Sequence, residues 1–433
     1  MPTFRTVRGM RDFLPKEAER MRYAEQVTRD LAQLYGYREV ITPVVESYDL
    51  LAAKSGEEIR KRMYAFEDLG GRKVALRPEF TASIARLIAT KMRNEPKPMR
   101  LFCVGSLYRY DEPQYGRFRE FWQANYELTG SSKPEADAEI LMLTYDLMKR
   151  LGLRNYWLKI GHVGIIRGIL AQEDVKKEQQ NMIMQLLDKK QWDGALTVAR
   201  EFGVSEKCAT TLKSIFETRG KDTSRVLKKI EKNVGNYESA IAAVENLREI
   251  TELTRQSDAE FEMLIEAGFA RGLEYYTGMI FEPYVPEMDM ALSGGGRYDK
   301  LIELFGGEPT PAVGVAQGID RLALAVKKQK VSPKIPKRKR VAIIPIDEKL
   351  RARAIEISLV LRRADIPVEV EVMGRTVSKA LQDADRRNIT HAVIVGPKEL
   401  KEDKVVLRDM KKREQRVVKT NNLPQEILKH ELT

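Results

Sequence analysis

Apolar and polar side chains alternate most regularly in the stretch from Leu101 to Thr129. Two runs of strand-forming residues flank a polar loop, which is typical of an antiparallel hairpin with a long loop. Because the side chains of a strand point alternately to its two faces, the second run separates into two sets. One face carries Phe121, Gln123, Asn125 and Glu127, and the other carries Trp122, Ala124, Tyr126 and Leu128. A buried amide and carboxylate are costly unless they meet a ligand or a partner, so the first face predicts the floor of a site for a small polar molecule.

The loop of this hairpin carries Arg109, Arg117 and Arg119 around Asp111 and Glu112. Guanidinium groups donate two parallel charge-assisted hydrogen bonds, which suits them to phosphate. The hairpin therefore predicts a phosphate group close to the polar floor. An ordinary hairpin with a solvated face explains this stretch about equally well, because most charged loops are exposed.

The segments before the hairpin predict a helix, an edge strand and a second helix. Apolar residues at helical spacing indicate the first helix, from Pro15 to Tyr35. The strand Arg38–Val45 contains Pro43, which cannot donate to a ladder, so we expect it at an exposed edge that needs a partner. Thr81 is the expected N-cap of the second helix, Ala82–Lys91.

Residues 174–256 differ in character from the chain around them. They contain many Lys and Glu residues and no proline, and they predict an all-helical insertion within a mixed domain. Strands resume at Phe269–Glu282. The glycine-rich segment Ser293–Leu301 predicts a flexible turn that opens a helix, and the small residues of Ala312–Arg321 allow a ligand or a neighbouring strand to approach closely.

The last hundred residues have a different organisation. Residues 332–339 are rich in Pro and Lys, which is typical of a linker. After them, strand and helix patterns alternate, which indicates βαβ units around a small parallel or mixed sheet. We therefore expect a mixed α+β domain over residues 1–331, a linker over 332–339 and an α/β domain over 340–433.

The composition, with 43% hydrophobic and 32% charged residues, is typical of a soluble globular protein. We expect no membrane span, because no apolar run approaches the ~20 residues of a membrane helix, and no secretory signal. Two distant cysteines, Cys103 and Cys208, favour a reducing cytoplasm. The three histidines are scattered as well, so we expect no metal site built from His and Cys.

The net charge of +12 lies mostly at the C-terminal end. From Lys334 onward, 24 basic residues face 15 acidic ones, a net charge of +9. A basic module appended to a near-neutral body favours a polyanionic partner, most simply nucleic acid. A well-solvated surface explains the charge alone equally well.

Together these segments resemble the class II aminoacyl-tRNA synthetases, and specifically the histidyl-tRNA synthetases. The first helix with Arg38–Glu46 is similar to motif 1 of that class, Arg109–Glu127 to motif 2 and Gly314–Arg321 to motif 3. Two stretches resemble signatures of the histidine-specific family, Arg271-Gly-Leu-Glu-Tyr-Tyr and Gly295-Gly-Arg-Tyr-Asp. With Leu76-Arg-Pro-Glu-Phe-Thr and the C-terminal module, the resemblance covers nearly the whole chain.

The resemblance implies a catalytic domain with an antiparallel sheet flanked by helices, the helical insertion within it, and a C-terminal anticodon-binding α/β domain. It implies a homodimeric, cytoplasmic ligase that activates L-histidine with ATP and passes it to the 3′ end of tRNA(His), with Mg²⁺ bound alongside ATP. Such a site works by positioning and charge stabilisation and needs little acid–base chemistry.

For ATP, the resemblance implies a catalytic pair of arginines on opposite sides of the α-phosphate, Arg109 and Arg271. It gives Arg117 to the γ-phosphate. Phe121 and Arg321 are expected to stack on the two faces of adenine, a geometry that suits a guanidinium group.

For histidine, the resemblance implies one group of residues at the amino-acid backbone and another at the ring. These are Glu79, Thr81, Gln123, Arg109 and Arg271 at the backbone, and Glu127, Tyr276 and the neighbouring Tyr275 at the imidazole. A carboxylate and a phenol discriminate histidine from apolar isosteres, because an isostere leaves these buried groups unpaired. Without the resemblance, the two tyrosines are ordinary strand aromatics and Glu127 is part of a buried ion pair.

The chain departs from the family pattern in the hairpin loop. Many members have Arg-x-Glu-Arg where this chain has Arg109-Tyr110-Asp111-Glu112. Asp111 can still accept a hydrogen bond from the adenine amine or from a metal-bound water. Glu112 removes a possible phosphate contact to the tRNA end, which leaves Gln114 as the candidate for reading its first base pair.

Two other functions stay open from the sequence. A catalytically inactive relative of the family serves as the regulatory subunit of ATP phosphoribosyltransferase, but it usually lacks the C-terminal module and degrades the signature at Arg271, both of which this chain has. A generic RNA-binding protein would explain the charge but not the carboxylates on the site face. Histidine-dependent exchange between pyrophosphate and ATP would separate the three functions.

Overall fold

The computed structural model describes residues 4–53, 60–258, 261–272, 274–332 and 339–429. The chain divides into two compact units, residues 1–333 and residues 334–433. Most of the predicted linker, residues 333–338, lies outside the described residues. None of the helices in the described ranges is long and apolar enough to cross a membrane.

The larger unit is built around a nine-stranded sheet that is mostly antiparallel. The strands of this unit are β1 (Arg38–Glu39), β2 (Val45–Ser47), β3 (Ala65–Glu67), β4 (Lys73–Leu76), β5 (Met99–Tyr108), β6 (Glu120–Thr129), β7 (Trp157–His162), β8 (Arg219–Gly220), β9 (Met263–Glu266), β10 (Met279–Tyr284), β11 (Ser293–Arg297) and β12 (Ala312–Gly318). The large sheet has the order β1-β5-β6-β12-β11-β10-β7-β9-β8, and a three-stranded sheet has the order β2-β4-β3. Within the large sheet, β1 with β5 and β7 with β9 are the parallel pairs among the described strands.

Helices pack on this sheet and bury its apolar side chains. They are α1 (Pro15–Leu34), α2 (Tyr48–Ala53), α3 (Thr81–Thr90), α4 (Pro134–Arg150), α5 (Val163–Gln172), α6 (Lys177–Asp188), α7 (Trp192–Glu201), α8 (Glu206–Glu217), α9 (Thr223–Val234), α10 (Glu238–Ser257), α11 (Leu301–Leu304) and α12 (Ile319–Lys328). One continuous core joins α1, α4, α5 and α10 to the sheet, and a smaller core lies under α3. Mixed helix and strand content around an antiparallel-rich sheet confirms the predicted fold class.

The predicted hairpin is confirmed as β5 and β6. Ala124, Tyr126 and Leu128 lie in the main core, as their alternation in the sequence predicts. The Tyr126 hydroxyl donates to the backbone oxygen of Thr28 in α1 at 2.7 Å. This bond ties the apolar face of β6 to a helix and leaves the polar face of the strand for the site.

Residues 174–256 contain five described helices, α6 to α10, as the sequence predicts. The prediction missed a short strand, β8, which pairs with β9 at one end of the large sheet. Two residues are too few to produce a detectable alternation, so the sequence carried no signal for this strand.

Two strand predictions and one turn prediction need correction. Arg38–Val45 is not one strand: it contributes β1 to the large sheet, and β2, which begins at Val45, belongs to the small one. Pro43 lies in the break, where Arg77 donates to the backbone oxygens of Thr42 (2.8 Å) and Pro43 (3.3 Å). The expected edge position is confirmed, because β1 is the terminal strand of its sheet.

The other two corrections concern the segments that follow the insertion. Phe269–Glu282 forms a strand only from Met279 onward. The glycine-rich Ser293–Arg297 is not a flexible turn but the buried strand β11. Its glycines permit close packing: a Cβ on Gly295 would lie 2.4 Å from the backbone oxygen of Gly314 in β12.

The smaller unit has a five-stranded sheet with the order β14-β13-β15-β16-β17. Its described elements are β13 (Val341–Pro345), a 3₁₀ turn (Glu348–Leu350), α13 (Arg351–Arg363), β14 (Val368–Val370), α14 (Val377–Arg386), β15 (His391–Val395), α15 (Pro397–Leu400), β16 (Lys404–Asp409), β17 (Gln415–Lys419), a second 3₁₀ turn (Thr420–Asn422) and α16 (Leu423–Leu428). Strands β14, β13 and β15 are parallel, which confirms the predicted βαβ units.

His162 ends β7 and caps α5 as a buried, neutral histidine. Its Nδ1 accepts from the backbone N–H of Gly164 at 3.1 Å, so Nε2 carries the proton and donates to Asn246 Oδ1 at 3.2 Å. Burial lowers the pKa of His162 from 6.5 to about 4. A second proton would therefore have to enter a site that disfavours charge.

We expect His162 to make the protein less stable as the pH falls from about 6.5 to about 4. In this window the unfolded histidine takes up a proton that the folded one does not, and the free energy of unfolding falls by up to about 3 kcal/mol. Urea unfolding at pH 7 and pH 4.5 measures the loss in the wild type and in His162→Asn, whose amide can still cap the helix. The variant should lose less stability between the two pH values, and an equal loss would refute this role.

Candidate active site

A cavity of about 430 Å³ opens on the polar face of β6 and extends over β10, β11 and β12. Twelve of the thirteen residues singled out in the sequence line it: Glu79, Thr81, Arg109, Asp111, Arg117, Phe121, Gln123, Glu127, Arg271, Tyr275, Tyr276 and Arg321. The thirteenth, Gln114, is exposed in the hairpin loop, where its backbone pairs with that of Arg117. The fold therefore brings twelve of the residues that the sequence analysis assigned to the site together around one cavity.

Glu127 lines this cavity and is only 1% exposed. Its Oε1 accepts from the Thr81 hydroxyl at 2.9 Å and from Asn125 Nδ2 at 3.2 Å. Its Oε2 accepts from the Tyr298 hydroxyl. Gly314 on the neighbouring strand leaves room for the group, because a Cβ there would lie 1.8 Å from Oε2. Hydroxyl and amide donors thus fix the orientation of this carboxylate, which suits a cationic or proton-donating ligand.

Three tyrosines surround this carboxylate. Ring centroids are 4.9 Å apart for Tyr275 and Tyr276 and 5.8 Å apart for Tyr275 and Tyr298. Burial, together with the nearby Glu127, raises the pKa of the Tyr298 and Tyr275 hydroxyls well above the ordinary value. These hydroxyls stay protonated and act as hydrogen-bond donors to the site.

Four of the arginines that line the cavity form what we call its arginine wall: Arg109, Arg117, Arg271 and Arg321. Burial lowers the pKa of Arg109, and for Arg321 the nearby Arg117 and Arg109 lower it further. Burial also acts to lower the pKa of Arg271, but Tyr276 and Glu282 outweigh it and raise the pKa. Guanidinium groups stay charged at neutral pH in all three cases. The arrangement concentrates positive charge beside a buried carboxylate, which suits a ligand with phosphates at one end and a basic group at the other.

Neighbouring polar groups hold the side chain of Arg271 in the cavity. Nη1 donates to the backbone oxygen of Phe281 at 3.3 Å, and Nε lies 3.9 Å from Glu282 Oε1. Lys159 also pairs with Glu282, at 3.1 Å. Gly294 leaves the space that the guanidinium fills, since a Cβ there would lie 1.7 Å from Nη1.

The sequence of this chain matches two known families of protein domains. Residues 9–322 match the family model described as histidyl-tRNA synthetase. The chain belongs to the histidyl-tRNA synthetase family. Residues 340–430 match a second model, described as an anticodon binding domain.

Relatives extend this match along the whole chain. A histidine–tRNA ligase of Methanocaldococcus jannaschii is 40% identical over 97% of this chain and 98% of its own length. A histidine–tRNA ligase of Saccharolobus solfataricus is 37% identical, with 98% of each chain covered.

Solved structures show the same fold. The histidyl-tRNA synthetase of Nostoc has a TM-score of 0.80 at 22% identity, over 99% of this chain and all of its own. A protein of Bacillus halodurans described as an ATP phosphoribosyltransferase regulatory subunit/histidyl-tRNA synthetase has a TM-score of 0.77 at 25% identity, over 91% of this chain and 99% of its own.

Family membership gives weight to two residues that sequence reasoning did not assign a role. Tyr298 was visible only as part of the stretch Gly295–Asp299, and its bond to Glu127 depends on β11 lying beside β12. In the sequence, Glu282 is one acidic residue among many. Its place in β10 brings it to Arg271 in the fold. Neither residue had a local signal beyond the motif around Tyr298.

The role predicted for Thr81 as a helix cap is wrong. Helix α3 begins at Thr81 itself, Phe80 occupies the cap position, and no side chain caps this helix. The Thr81 hydroxyl instead donates to Glu127 and accepts from Asn125 Nδ2 at 3.1 Å. The site, rather than the helix, uses this hydroxyl.

The loop arginines divide into two roles. Arg117 and Arg62 lie 3.9 Å and 3.3 Å from the Asp111 carboxylate and line the cavity with it. Arg119 does not line the cavity: its Nε donates to the backbone oxygen of Asp111 at 3.1 Å and its Nη1 to that of Arg8 at 3.4 Å. Arg119 therefore fastens the N-terminal segment to the loop.

Gln123 lines the cavity and carries a buried polar atom. Its Oε1 is shielded from solvent and has no hydrogen-bond partner within the part of the chain that the structure describes. A buried acceptor of this kind is costly, and native sites ordinarily satisfy it. A donor on the ligand would satisfy it here.

Proposed function

We propose that this chain is a histidine–tRNA ligase, which converts L-histidine and ATP to histidyl-adenylate and pyrophosphate and then transfers the histidyl group to the 3′ end of tRNA(His). The observation that carries the proposal is the buried Glu127 carboxylate, held by Thr81 and Tyr298 in a cavity that the arginine wall also lines. ATP-dependent attachment of labelled histidine to tRNA(His) by the purified protein tests it. Charging of tRNA(His) with another amino acid instead would refute it.

Histidine is proposed to lie with its imidazole against Glu127 and Tyr276, with Tyr275 beside the ring. Glu127 accepts from one ring N–H, and the Tyr276 hydroxyl meets the other ring nitrogen. A ligand without these nitrogens would bury the carboxylate and the phenol while forgoing the hydrogen bonds that histidine makes to them, which costs far more than a lost apolar contact. This difference is the proposed source of amino-acid specificity.

The amino group is assigned to Glu79, Thr81 and Gln123. A threonine hydroxyl has one donor and two acceptor positions. In Thr81 the donor is used on Glu127 and one acceptor on Asn125, which leaves one acceptor for the ammonium group. The buried Oε1 of Gln123, which has no hydrogen-bond partner within the described residues, offers another acceptor.

Adenylate formation is assigned to the arginine wall. A carboxylate oxygen of histidine attacks the α-phosphorus, the bond to the β-phosphate oxygen breaks, and pyrophosphate leaves. No proton needs to move in this step, so the chain contributes positioning and charge. Arg109 and Arg271 neutralise the α-phosphate, Arg117 binds the γ-phosphate, and Phe121 and Arg321 hold the adenine between them.

In the second step a ribose hydroxyl of the tRNA end attacks the histidyl carbonyl, the bond from that carbonyl carbon to the phosphate oxygen breaks, and AMP leaves with its phosphate taking up the hydroxyl proton. Gln114 is exposed on the hairpin loop, which suits contact with the first base pair of the tRNA. Glu112 beside it pairs with Arg8 at 2.7 Å, so this acid is partly neutralised before any tRNA approaches.

Magnesium fits this site as an ion carried by ATP. In the described ranges no group of three or more His, Cys, Asp or Glu side chains is placed to hold a metal. Mg²⁺ is commonly bound through one or two carboxylates together with substrate phosphates. Asp111 is the acid that we assign to it, through a bound water, and the ion would supply further neutralisation of the phosphates.

A homodimer in the cytoplasm is part of the proposal. The terminal strand β1 leaves a sheet edge, and the segment after it exposes Ile41 (90% exposed), Val44 and Val45. An exposed edge beside exposed apolar side chains favours pairing with a second copy. Sedimentation at micromolar concentration should give twice the 49.6 kDa of one chain, and a 49.6 kDa particle would contradict the dimer.

Cutting the chain between the two units should separate the two half-reactions. Every residue assigned to histidine and ATP belongs to the larger unit, and the smaller unit matches the anticodon-binding model and carries the +9 charge. A protein ending near residue 332 should keep most of its pyrophosphate exchange and lose most of its tRNA charging, because phosphate contacts supply much of the affinity for nucleic acid.

The outcome of this cut can contradict the assignment in two ways. Charging at the full-length efficiency would show that the smaller unit does not hold tRNA. Loss of both activities would show that the larger unit depends on the smaller one for its own stability or dimerisation.

A further inference from the structure

A second cavity, of about 360 Å³, lies in the larger unit between β7, β9, β10 and the segment before α7. Two of the three tryptophans of the chain line it, Trp157 and Trp192, together with Tyr284. The rings of Trp157 and Tyr284 are stacked, with centroids 5.8 Å apart and planes at 16°. The cavity therefore presents flat aromatic surfaces that none of the proposed roles of the active site uses.

Basic side chains line the same cavity as these rings. Lys159, Lys190 and Arg219 line the cavity together with two acids, Glu266 and Asp289, and Lys159 is already paired with Glu282. Lys190 and Arg219 are exposed and can turn toward an anion. Aromatic platforms combined with basic side chains are the chemistry of sites for single-stranded nucleic acid, because every base has a face that stacks and every phosphate a charge.

The second cavity shares walls with the active site. From the last residue of α6 to the first residue of α7, Asp188 and Lys189 line the active-site cavity, and Lys190 and Trp192 line the second one. In β10, the side chain of Glu282 faces the first cavity and that of Tyr284 the second. Positions two residues apart in a strand are about 7 Å apart. A single strand of nucleic acid whose last nucleotide lies in the active site would thus reach the second cavity with the nucleotides that precede it.

We propose that the second cavity binds unpaired nucleotides that precede the terminal nucleotide of the tRNA, with bases against the rings of Trp157 and Trp192 and phosphates toward Lys190 and Arg219. The inference rests on the proposed function, because it takes the tRNA 3′ end as the acceptor in the first cavity. It adds a place where the single strand is held while its terminal ribose reacts.

Trp192→Ala tests the aromatic surface, with Trp192→Phe as the conservative partner. Pyrophosphate exchange should stay within about twofold of wild type, since this step needs no tRNA. The KM for tRNA in charging should rise about tenfold or more, as expected for the loss of one base–aromatic stack. Phenylalanine should restore most of the affinity, because it keeps an aromatic face.

Lys190→Ala tests the charge without touching the packing of the insertion. A short single-stranded RNA with the 3′ sequence of the tRNA should quench the tryptophan fluorescence of the wild type, and Lys190→Ala should weaken its binding severalfold. Lys213→Ala is the matched control, because Lys213 is exposed on α8 of the same insertion but does not line the cavity. Its binding of the short RNA should equal that of wild type.

Three results would overturn the inference. An unchanged KM for tRNA in Trp192→Ala together with normal RNA binding in Lys190→Ala would remove the cavity from tRNA binding and leave the proposed function intact. Equal losses of exchange and charging in Trp192→Ala, with normal RNA binding in Lys190→Ala, would show a structural role for this wall. Absence of exchange in the wild type would remove the proposed function itself.

Discussion

Replacing Arg271 with histidine is expected to slow histidyl-adenylate formation by about a hundredfold or more, as the loss of a preorganised charge donor does. The Arg271 guanidinium is held in the cavity by the backbone oxygen of Phe281 and by the carboxylate of Glu282. The same carboxylate and Tyr276 raise its pKa, so the charge is secured before substrate binds. A histidine side chain is shorter and mostly neutral at pH 7. Single-turnover formation of the adenylate measures the effect.

Two further variants make this test specific. Gly294→Ala keeps Arg271 but places a methyl group 1.7 Å from the present position of its Nη1, so the guanidinium must move. We expect a slower adenylation step with a stable fold, because the far end of a flexible side chain yields more easily than backbone does. Arg225→His, at an exposed position of α9, should be as fast as wild type. Near-normal adenylation by Arg271→His would remove Arg271 from the mechanism.

Replacing Glu127 with glutamine is expected to raise the KM for histidine by about 10- to 150-fold, the range for the loss of a charged hydrogen bond, while the KM for ATP changes little. The amide keeps the shape of the side chain but turns one acceptor into a donor. That donor would face the hydroxyl of Thr81 or of Tyr298, both of which now donate to the carboxylate. The imidazole thus loses both the charge and a well-oriented acceptor.

Glu120→Gln is the matched control for this substitution. Glu120 lies on the same strand and also accepts from a tyrosine hydroxyl, that of Tyr108 at 2.9 Å, but it does not line the cavity. Its KM values should equal those of wild type. If Glu127→Gln raised the KM values for histidine and ATP equally, Glu127 would be a structural residue and not the ring-binding group.

The hairpin illustrates what the sequence could predict. A period of two along β6 fixes which side chains share a face, so the alternation alone is enough to place Gln123, Asn125 and Glu127 together. The helix α1 and the βαβ units of the smaller unit follow in the same way from local periodicity. Each of these patterns lies within one segment of the chain, and the structure shows the element that the pattern predicts.

Partners across strands could not be predicted in this way. Thr81 reads as a helix cap in the sequence, and only the position of α3 beside β6 turns its hydroxyl toward Glu127. Three successive glycines in β11 read as a flexible turn, whereas in the sheet they permit close packing between β10 and β12. Tyr298 and Glu282 acquire their neighbours through the same strand order. Contacts of this kind depend on which segments meet, a property that no single segment carries.

Histidine-dependent exchange of pyrophosphate into ATP by the full-length protein tests the central claim most directly. It needs the carboxylate, the arginine wall and the amino-acid pocket at once, and it needs no tRNA. We expect ATP to become labelled from pyrophosphate when L-histidine is present and not when any other standard amino acid replaces it. Binding of histidine without any exchange would indicate an inactive relative of the family, of the kind that serves ATP phosphoribosyltransferase, and would contradict the assignment of a ligase.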